Sequence, residues 1–262
     1  MSTYKGRYAE LYDIFYADKP YCEEASFVHR CLQQYGSGPM RRVLELACGT
    51  GAHALALEKL GYEILATDDS EEMLARARRK AEVASSRVEF RRQNMTELAE
   101  AGLDEAGGPF DAVVCMFDSI GYAVTNEALG RVLAGVRAHL RPRGLFVFEF
   151  WHGAAMLRSY ESVRVRRWAQ AWGELLRISE TTLEHERQLA HVSYTIYELR
   201  RDGTYDASKQ TMTCRYFLVQ EMAALVSAAG LGPVKWLAGF SEQEPITEET
   251  WHVLAVARRL DD

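Results

Sequence analysis

Residues 45–51 read Glu-Leu-Ala-Cys-Gly-Thr-Gly, placing an acid just ahead of two glycines one residue apart. Gly49 and Gly51 allow a sharp backbone turn and close approach of a ligand to the main chain. Glu45 lies inside an otherwise apolar run, where burying a carboxylate is costly unless it meets a partner. Asp68 follows about 20 residues on, the spacing at which an acid ending the second strand can accept from both hydroxyls of a ribose. Two classes of nucleotide cofactor use that geometry. A dinucleotide site wants a third glycine three residues on, so that pyrophosphate can reach the helix start. Ala54 stands there, a replacement that is sometimes tolerated, while Glu45 suits an ammonium-bearing amino-acid moiety better than a pyrophosphate.

Other candidates fall at the ends of later apolar runs. Asp118, Tyr122, Trp151 and His152 are placed to act as a base or to anchor a substrate. Tyr12 and Tyr16 could close aromatic faces over a cation. Arg164 and Arg166 alternate, so on a strand they share a face that would suit a phosphorylated or carboxylated substrate. The seven histidines are scattered and no carboxylate cluster has ligand spacing, so no metal centre is expected.

These residues need a frame. Residues 42–47, 62–67, 88–91, 112–116 and 145–150 read as five buried strands. Helices fit between them: 52–60 ending at Gly61, one capped by Ser70 and opening with Glu71 and Glu72, and 126–140 stopped by Pro142 and Gly144. The rhythm implies a parallel sheet with helices on both faces. After Trp151 the pattern changes to extended segments at 163–168, 175–183, 190–200 and 211–217, with a hairpin signal at Asp202-Gly203. A helix over 219–229 and strands at 234–237 and 253–257 close the chain. One domain over 1–262 is expected. It comprises an aromatic-rich N-terminal cap segment (1–39), helical from Glu23, a cofactor-binding half (40–150), an inserted antiparallel sheet on the substrate side (160–217), and the last helix and strands (218–262).

A chain of 262 residues with 48% hydrophobic content can bury a full core. Its net charge of −6 disfavours a nucleic-acid partner. Five cysteines without a CxxC pair point away from a disulfide framework and toward a reducing compartment. No apolar run approaches the roughly 20 residues that span a bilayer, and the first residues lack a signal-peptide core. A cytoplasmic protein, monomeric or homodimeric, with a small-molecule substrate and neither nucleic acid nor membrane as partner, is expected.

The run ELACGTG at 45–51, TDDSEEML at 67–74 and Gln93-Asn94-Met95 after the third strand together resemble the motifs of class I S-adenosylmethionine-dependent methyltransferases. The resemblance implies a Rossmann-like α/β fold with a seven-stranded, mostly parallel sheet. It implies that Glu45, Ala47, Cys48, Gly49 and Gly51 cradle the methionine part of the cofactor, and that Asp68 binds its ribose. Asp69 and Met73 would lie along the adenine, with Met95 and Met116 also at the cofactor. Asn94, in place of the usual acid, would accept from the exocyclic amine. His53 and Tyr16 would lie near the cofactor, and S-adenosylhomocysteine would be the product.

Val114 to Tyr122 is similar to the segment after the fourth strand in N-methyltransferases of nucleotide-linked amino sugars. Leu11-Tyr12-Asp13, Lys19-Pro20-Tyr21 and Phe148-Glu149-Phe150-Trp151 also match that group, and are shared with glycine-type N-methyltransferases. A histidine common in the amino-sugar enzymes is replaced here by Tyr122. A small amine is therefore the expected acceptor, which needs only a neutral lone pair aligned with the methyl group in a water-free site. An O-methyltransferase with a strand-end base such as His152 is the alternative. A nicotinamide oxidoreductase and a non-catalytic cofactor-binding protein are more distant ones.

Overall fold

A computed structural model describes residues 6–103 and 108–261; the first five residues of the N-terminal segment lie outside the described residues. The chain opens with two helices, α1 (Gly6–Phe15) and α2 (Tyr21–Tyr35). Strands and helices then alternate as β1 (Arg42–Leu46), α3 (Ala52–Lys59), β2 (Glu63–Asp68), α4 (Glu71–Val83), β3 (Glu89–Arg92), β4 (Phe110–Cys115), α5 (Asn126–His139) and β5 (Leu140–Trp151). Helix α6 (Gly153–Ser159) leads into β6 (Val163–Gln170), β7 (Gly173–Glu184), β8 (Leu189–Arg200) and β9 (Tyr205–Arg215). Helix α7 (Val219–Ala228), β10 (Leu231–Ala238) and β11 (His252–Arg259) complete the described fold.

The main sheet has seven strands in the order β10-β11-β5-β4-β1-β2-β3. Strand β1 runs parallel to β2 and β4, while β11 is antiparallel to its neighbours β5 and β10. The expected Rossmann-like α/β fold is therefore present. The chain leaves β1 toward β2 and β3, then returns to β4 on the other side of β1. That reversal opens a crevice at the carboxyl ends of β1 and β4.

Side chains alternate between two apolar layers. Val43 and Val147 join one, and Leu44, Leu46, Phe146, Phe148 and Phe150 join the other. Glu45 and Glu149 continue the face of Val43 and Val147 toward the crevice, so each acid is buried at a strand end by the periodicity of its strand.

The insertion is a four-stranded antiparallel meander, β6-β7-β8-β9. Asp202-Gly203 turns β8 into β9, with Gly203 at φ +85° and the Thr204 amide donating to Asp202 Oδ1 at 2.9 Å. The meander is seated on the main sheet where Gly121 meets β9. A Cβ there would lie 2.3 Å from Cys214 Sγ and 2.7 Å from the Arg215 carbonyl oxygen.

Helix α1 was not expected within the aromatic N-terminal segment. Tyr8, Leu11, Tyr12 and Phe15 recur at helical spacing and bury against Met73 of α4 and against Leu175, Val192, Tyr194 and Met212 of the meander. The helix is thus fixed by two surfaces far away in sequence, and the Arg7–Glu198 ion pair reinforces it. Helix α2 starts at Tyr21 rather than Glu23. Helix α5 stops at His139, because β5 begins at once with Leu140 pairing Phe110.

The two glycines of the loop differ in what they accommodate. Gly51 has φ +76°, and a Cβ would stand 2.8 Å from Phe90 Cε1 and 3.1 Å from Ala77 Cβ, so its freedom serves packing against α4 and β3. Gly49, at φ +56°, would meet only Met73 Cε at an ordinary 3.6 Å. Gly51→Ala should therefore lower stability by about 3 kcal/mol, combining backbone strain with overpacking, and Gly49→Ala by about 1 kcal/mol. Urea unfolding of the cofactor-free protein measures both, and equal losses would refute the packing assignment.

Candidate active site

Past β1 the backbone takes left-handed conformations at Ala47 (φ +51°), Gly49 and Gly51. The Cys48 amide donates to the Thr67 carbonyl at 2.9 Å, tying the loop to β2. Asp68 completes the tie: Oδ2 accepts from the Gly49 amide at 2.9 Å and Oδ1 from the Ser70 amide at 2.8 Å. Burial raises the Asp68 carboxyl above its ordinary value, and those two amides partly offset the rise. Ser70 caps α4, its Oγ accepting from the Met73 amide at 3.4 Å.

Glu45 is only 2% exposed, and its Oε2 has no hydrogen-bond partner. Burial and the nearby charge of Asp68 push this carboxyl up to about 8. It is a partly neutral acid that a cation would return to its charged form. A ligand ammonium supplies both the missing partner and that charge, so the residues at this loop fit an amino-acid-bearing adenosyl cofactor.

The remaining residues expected at the cofactor have varied surroundings. Cys48 is buried, which raises its thiol well above the ordinary value. Asp69 pairs with Arg92 at 3.7 Å. Met73 is fully buried in the cluster that includes Tyr8 and Tyr12, Met116 is buried, and Met95 is half-buried against the apolar layer of β4 and α5. Asn94 Oδ1 accepts from both the Thr96 amide and the Thr96 hydroxyl at 2.9 Å, capping the 3₁₀ turn Met95–Glu100. With both lone pairs engaged, Asn94 offers a ligand its amide N–H groups rather than its oxygen. His53 faces α2, its Nε2 2.6 Å from Glu24 Oε2 and its ring 4.9 Å from that of Tyr21. Glu24 also pairs with Lys19, and Asp13 accepts from Thr50 Oγ1 at 2.7 Å and Lys80 Nζ at 2.5 Å. The N-terminal helices are thereby latched to the glycine loop.

A cavity of about 920 Å³ opens between the main sheet and the meander. Of the sequence candidates, Tyr16, Asp118, Tyr122, Trp151, Arg164 and Arg166 line it. Tyr12 stands behind Tyr16, ring centres 4.7 Å apart. His152 is not among the lining residues: it is buried at the start of α6, its Nδ1 3.1 Å from the Thr250 carbonyl oxygen. Arg164 pairs with Glu161 at 2.6 Å.

Three features escaped the sequence: His252 and Arg177 of β7, which line the cavity, and Glu149, buried behind His252. His252, opening β11, lies opposite Trp151 through strand register and reaches across to Asp118. Its Nδ1 is 2.8 Å from Asp118 Oδ2 and 3.1 Å from Glu149 Oε1, while Glu149 Oε2 accepts from the Phe117 amide at 2.9 Å. Glu149 carried the same signal as Glu45, an acid inside an apolar strand; His252 and Arg177 carried none. By residue type Asp118, Glu149 and His252 could hold a metal, their ligand atoms lying within 4.8 Å of one another. Their geometry is that of an imidazolium between two carboxylates. Asp118, aided by Glu149, pushes His252 up to about 11 against the effect of burial. Burial pushes Asp118 up to about 6 despite His252. Burial would also raise Glu149, but its hydrogen bond to His252 holds it below the usual range.

Because the folded protein binds the His252 proton more tightly than the unfolded chain, this contribution to stability is complete below about pH 6.5. It is lost progressively as pH rises toward about 11. Stability should fall more steeply between pH 7 and pH 10 in the natural protein than in His252→Gln, measured by urea unfolding; parallel pH profiles would contradict the imidazolium assignment.

Residues 43–144 match a family described as a methyltransferase domain. The dTDP-3-amino-3,4,6-trideoxy-alpha-D-glucopyranose N,N-dimethyltransferase of Streptomyces venezuelae is 28% identical over 239 residues, covering 90% of this chain and 94% of its own length. Among solved structures, an S-adenosylmethionine-dependent methyltransferase from Clostridium acetobutylicum superposes with TM-score 0.80 at 19% identity, covering 97% of this chain and 98% of that one. A sugar N-methyltransferase from Streptoalloteichus superposes with TM-score 0.79 at 23% identity, covering 100% and 97%. The glycine loop, the acid ending β2 and the seven-stranded order agree with this likeness to S-adenosylmethionine-dependent methyltransferases.

Proposed function

We propose that this enzyme methylates the amine of a small-molecule acceptor, of the amino-sugar class on which its curated Streptomyces relatives act. Bound S-adenosylmethionine supplies an electrophilic methyl group on a sulfonium. Glu45 would hold the ammonium of its methionine part, beside the turn of Ala47, Cys48, Gly49 and Gly51. Asp68 would accept from the ribose hydroxyls, since each of its oxygens keeps a lone pair after binding one amide. Asp69 and Met73 would flank the adenine, with Asn94 contributing an N–H. Tyr16 and Phe117, ring centres 5.1 Å apart, would shield the reacting atoms from water.

The observation that carries the choice of amine is the state of His252. It is the one histidine among the residues lining the cavity, and two carboxylates keep it protonated at neutral pH. A hydroxyl acceptor would need a base free to take its proton, which the protonated His252 is not. The base suggested by sequence, His152, lies off the cavity with Nδ1 engaged by Thr250. An amine needs only to be drawn in and relieved of a proton. With Lys19 paired to Glu24, Asp118 and Glu149 carry one more negative charge than His252 balances, so they attract an ammonium. Asp118, ionised above about pH 6, is the group at the sheet end suited to receive its proton. Tyr122 and Trp151 would orient the acceptor from the cavity wall.

Three outcomes follow. S-adenosylhomocysteine should form with amino-sugar acceptors and not with their hydroxyl counterparts; methylation of the hydroxyl compounds alone would reverse the reading. Asp68→Ala should weaken S-adenosylhomocysteine binding at least tenfold, about 1.4 kcal/mol, in a calorimetric titration. In the natural enzyme kcat/KM should fall as pH drops below about 6. Asp118→Asn should abolish that limb and lower kcat about a hundredfold; an unchanged pH profile would remove Asp118 from proton transfer.

A further inference from the structure

We propose that the inner face of the meander is an oxyanion site, built on Arg177 and Arg166, that holds an anionic group of the acceptor. Arg177 is only 5% exposed, yet no carboxylate pairs with it among the described residues. Its Nε has no hydrogen-bond partner; one terminal N–H reaches the Tyr8 hydroxyl at a long 3.4 Å, and the Tyr16 hydroxyl is a further neutral partner. What surrounds the guanidinium is aromatic: Phe15 at 4.8 Å, Tyr194 at 5.1 Å, Trp168 at 5.2 Å and Tyr16 at 5.7 Å. Ring faces offset part of the cost of burying a cation, but they do not replace an anion.

Neighbouring arginines show what is missing. Arg215, also buried, has Glu221 at 2.6 Å. Arg164 and Arg167 have Glu161 and Glu174. Arg177 instead faces a second cation, because the register of β6 on β7 sets it directly opposite Arg166, an exposed residue that lies near Glu161 but makes no ion pair within 4 Å among the described residues. Residues opposite one another in an antiparallel pair share a face, and like charges so placed are destabilising. Both arginines line the cavity, as do Ser179 and Thr181, the next residues along β7 on the same face. Two guanidinium forks beside two hydroxyl donors match an oxyanion and repel a cation.

The cavity is therefore bipolar, with carboxylates at the sheet end and guanidinium groups on the meander. Resting on the amine reading above, this makes the acceptor a molecule with an amine at one end and an oxyanion, phosphate or carboxylate, at the other. Cavity size is compatible with such a molecule.

The test uses the full-length enzyme saturated with S-adenosylhomocysteine, titrated calorimetrically at fixed ionic strength with inorganic pyrophosphate and, separately, with succinate. At least one should bind the natural protein, and Arg177→Met and Arg166→Met should each weaken it at least tenfold. Arg177→Lys should restore little, because the fork is lost. Binding of pyrophosphate alone identifies a phosphate-bearing acceptor, and of succinate alone a carboxylate-bearing one. S-adenosylhomocysteine affinity reports folding and tests the donor site independently. Should Arg177→Met fail to bind it, Arg166→Met decides. The proposal is overturned if neither anion binds, or if the folded variants bind as the natural protein does, leaving Arg177 a clamp for α1 alone. Hydroxyl rather than amine methylation would sink the amine reading without touching this anion result.

Discussion

A single carboxylate, that of Asp68, accepts one main-chain N–H from each side of the first crossover: Gly49 in the turn leaving β1 and Ser70 at the start of α4. Neither a strand ladder nor a helix can run through the turn, because three of its five residues from 47 to 51 sit in the left-handed region, and its own bonding is one link from the Gly51 amide to the Cys48 carbonyl. A buried acid bridging two amides substitutes for that missing ladder. It sets the strand end, the loop and the next helix in one arrangement, and the N-terminal helices then pack onto that arrangement through Asp13 and Glu24. Apart from that bridge, the loop keeps the bonds from the Cys48 amide to the Thr67 carbonyl and from the Gly51 amide to the Cys48 carbonyl, each 2.9 Å.

Charge is distributed with the same economy. Glu45 and Glu149 are both buried by the alternation of their strands, yet they differ in state. Glu45 has only Asp68 for electrostatic company and is pushed toward neutrality, whereas Glu149 has an imidazolium and an amide and stays ionised. One acid has an unpartnered oxygen; the other already has its cation. The difference arises from β11, which delivers His252 to the end of β5 and has no counterpart beside β1.

What could be read from the sequence was what local chain chemistry decides. The strand run 42–47, the two glycines, Asp68 and the Ser70 cap each carry their signal within a few residues, and the alternation of strands and helices fixed the parallel sheet. The Asp-Gly hairpin was legible for the same reason. Missing were the features made by register. His252 is an ordinary residue until β11 pairs antiparallel with β5, and Arg177 is an ordinary strand arginine until β6 sets Arg166 against it. Helix α1 escaped because its apolar face is aromatic and acquires a partner only once the meander and α4 lie beside it. Asn94 shows the converse: its spacing to Thr96 is that of a cap, a signal carried within two residues.

The meander has a consequence for how such enzymes diversify. Its strands are joined by hairpins and held by their own ladder, and only one of its faces looks into the cavity. Exchanging side chains at every second position of β6 and β7 alters that wall while leaving the ladder, the outer face and the strands beneath the glycine loop as they were. On the proposed reading, selection could thus retune which molecule is modified without re-optimising how the methyl donor is held, as a lathe takes a new jig without a new spindle.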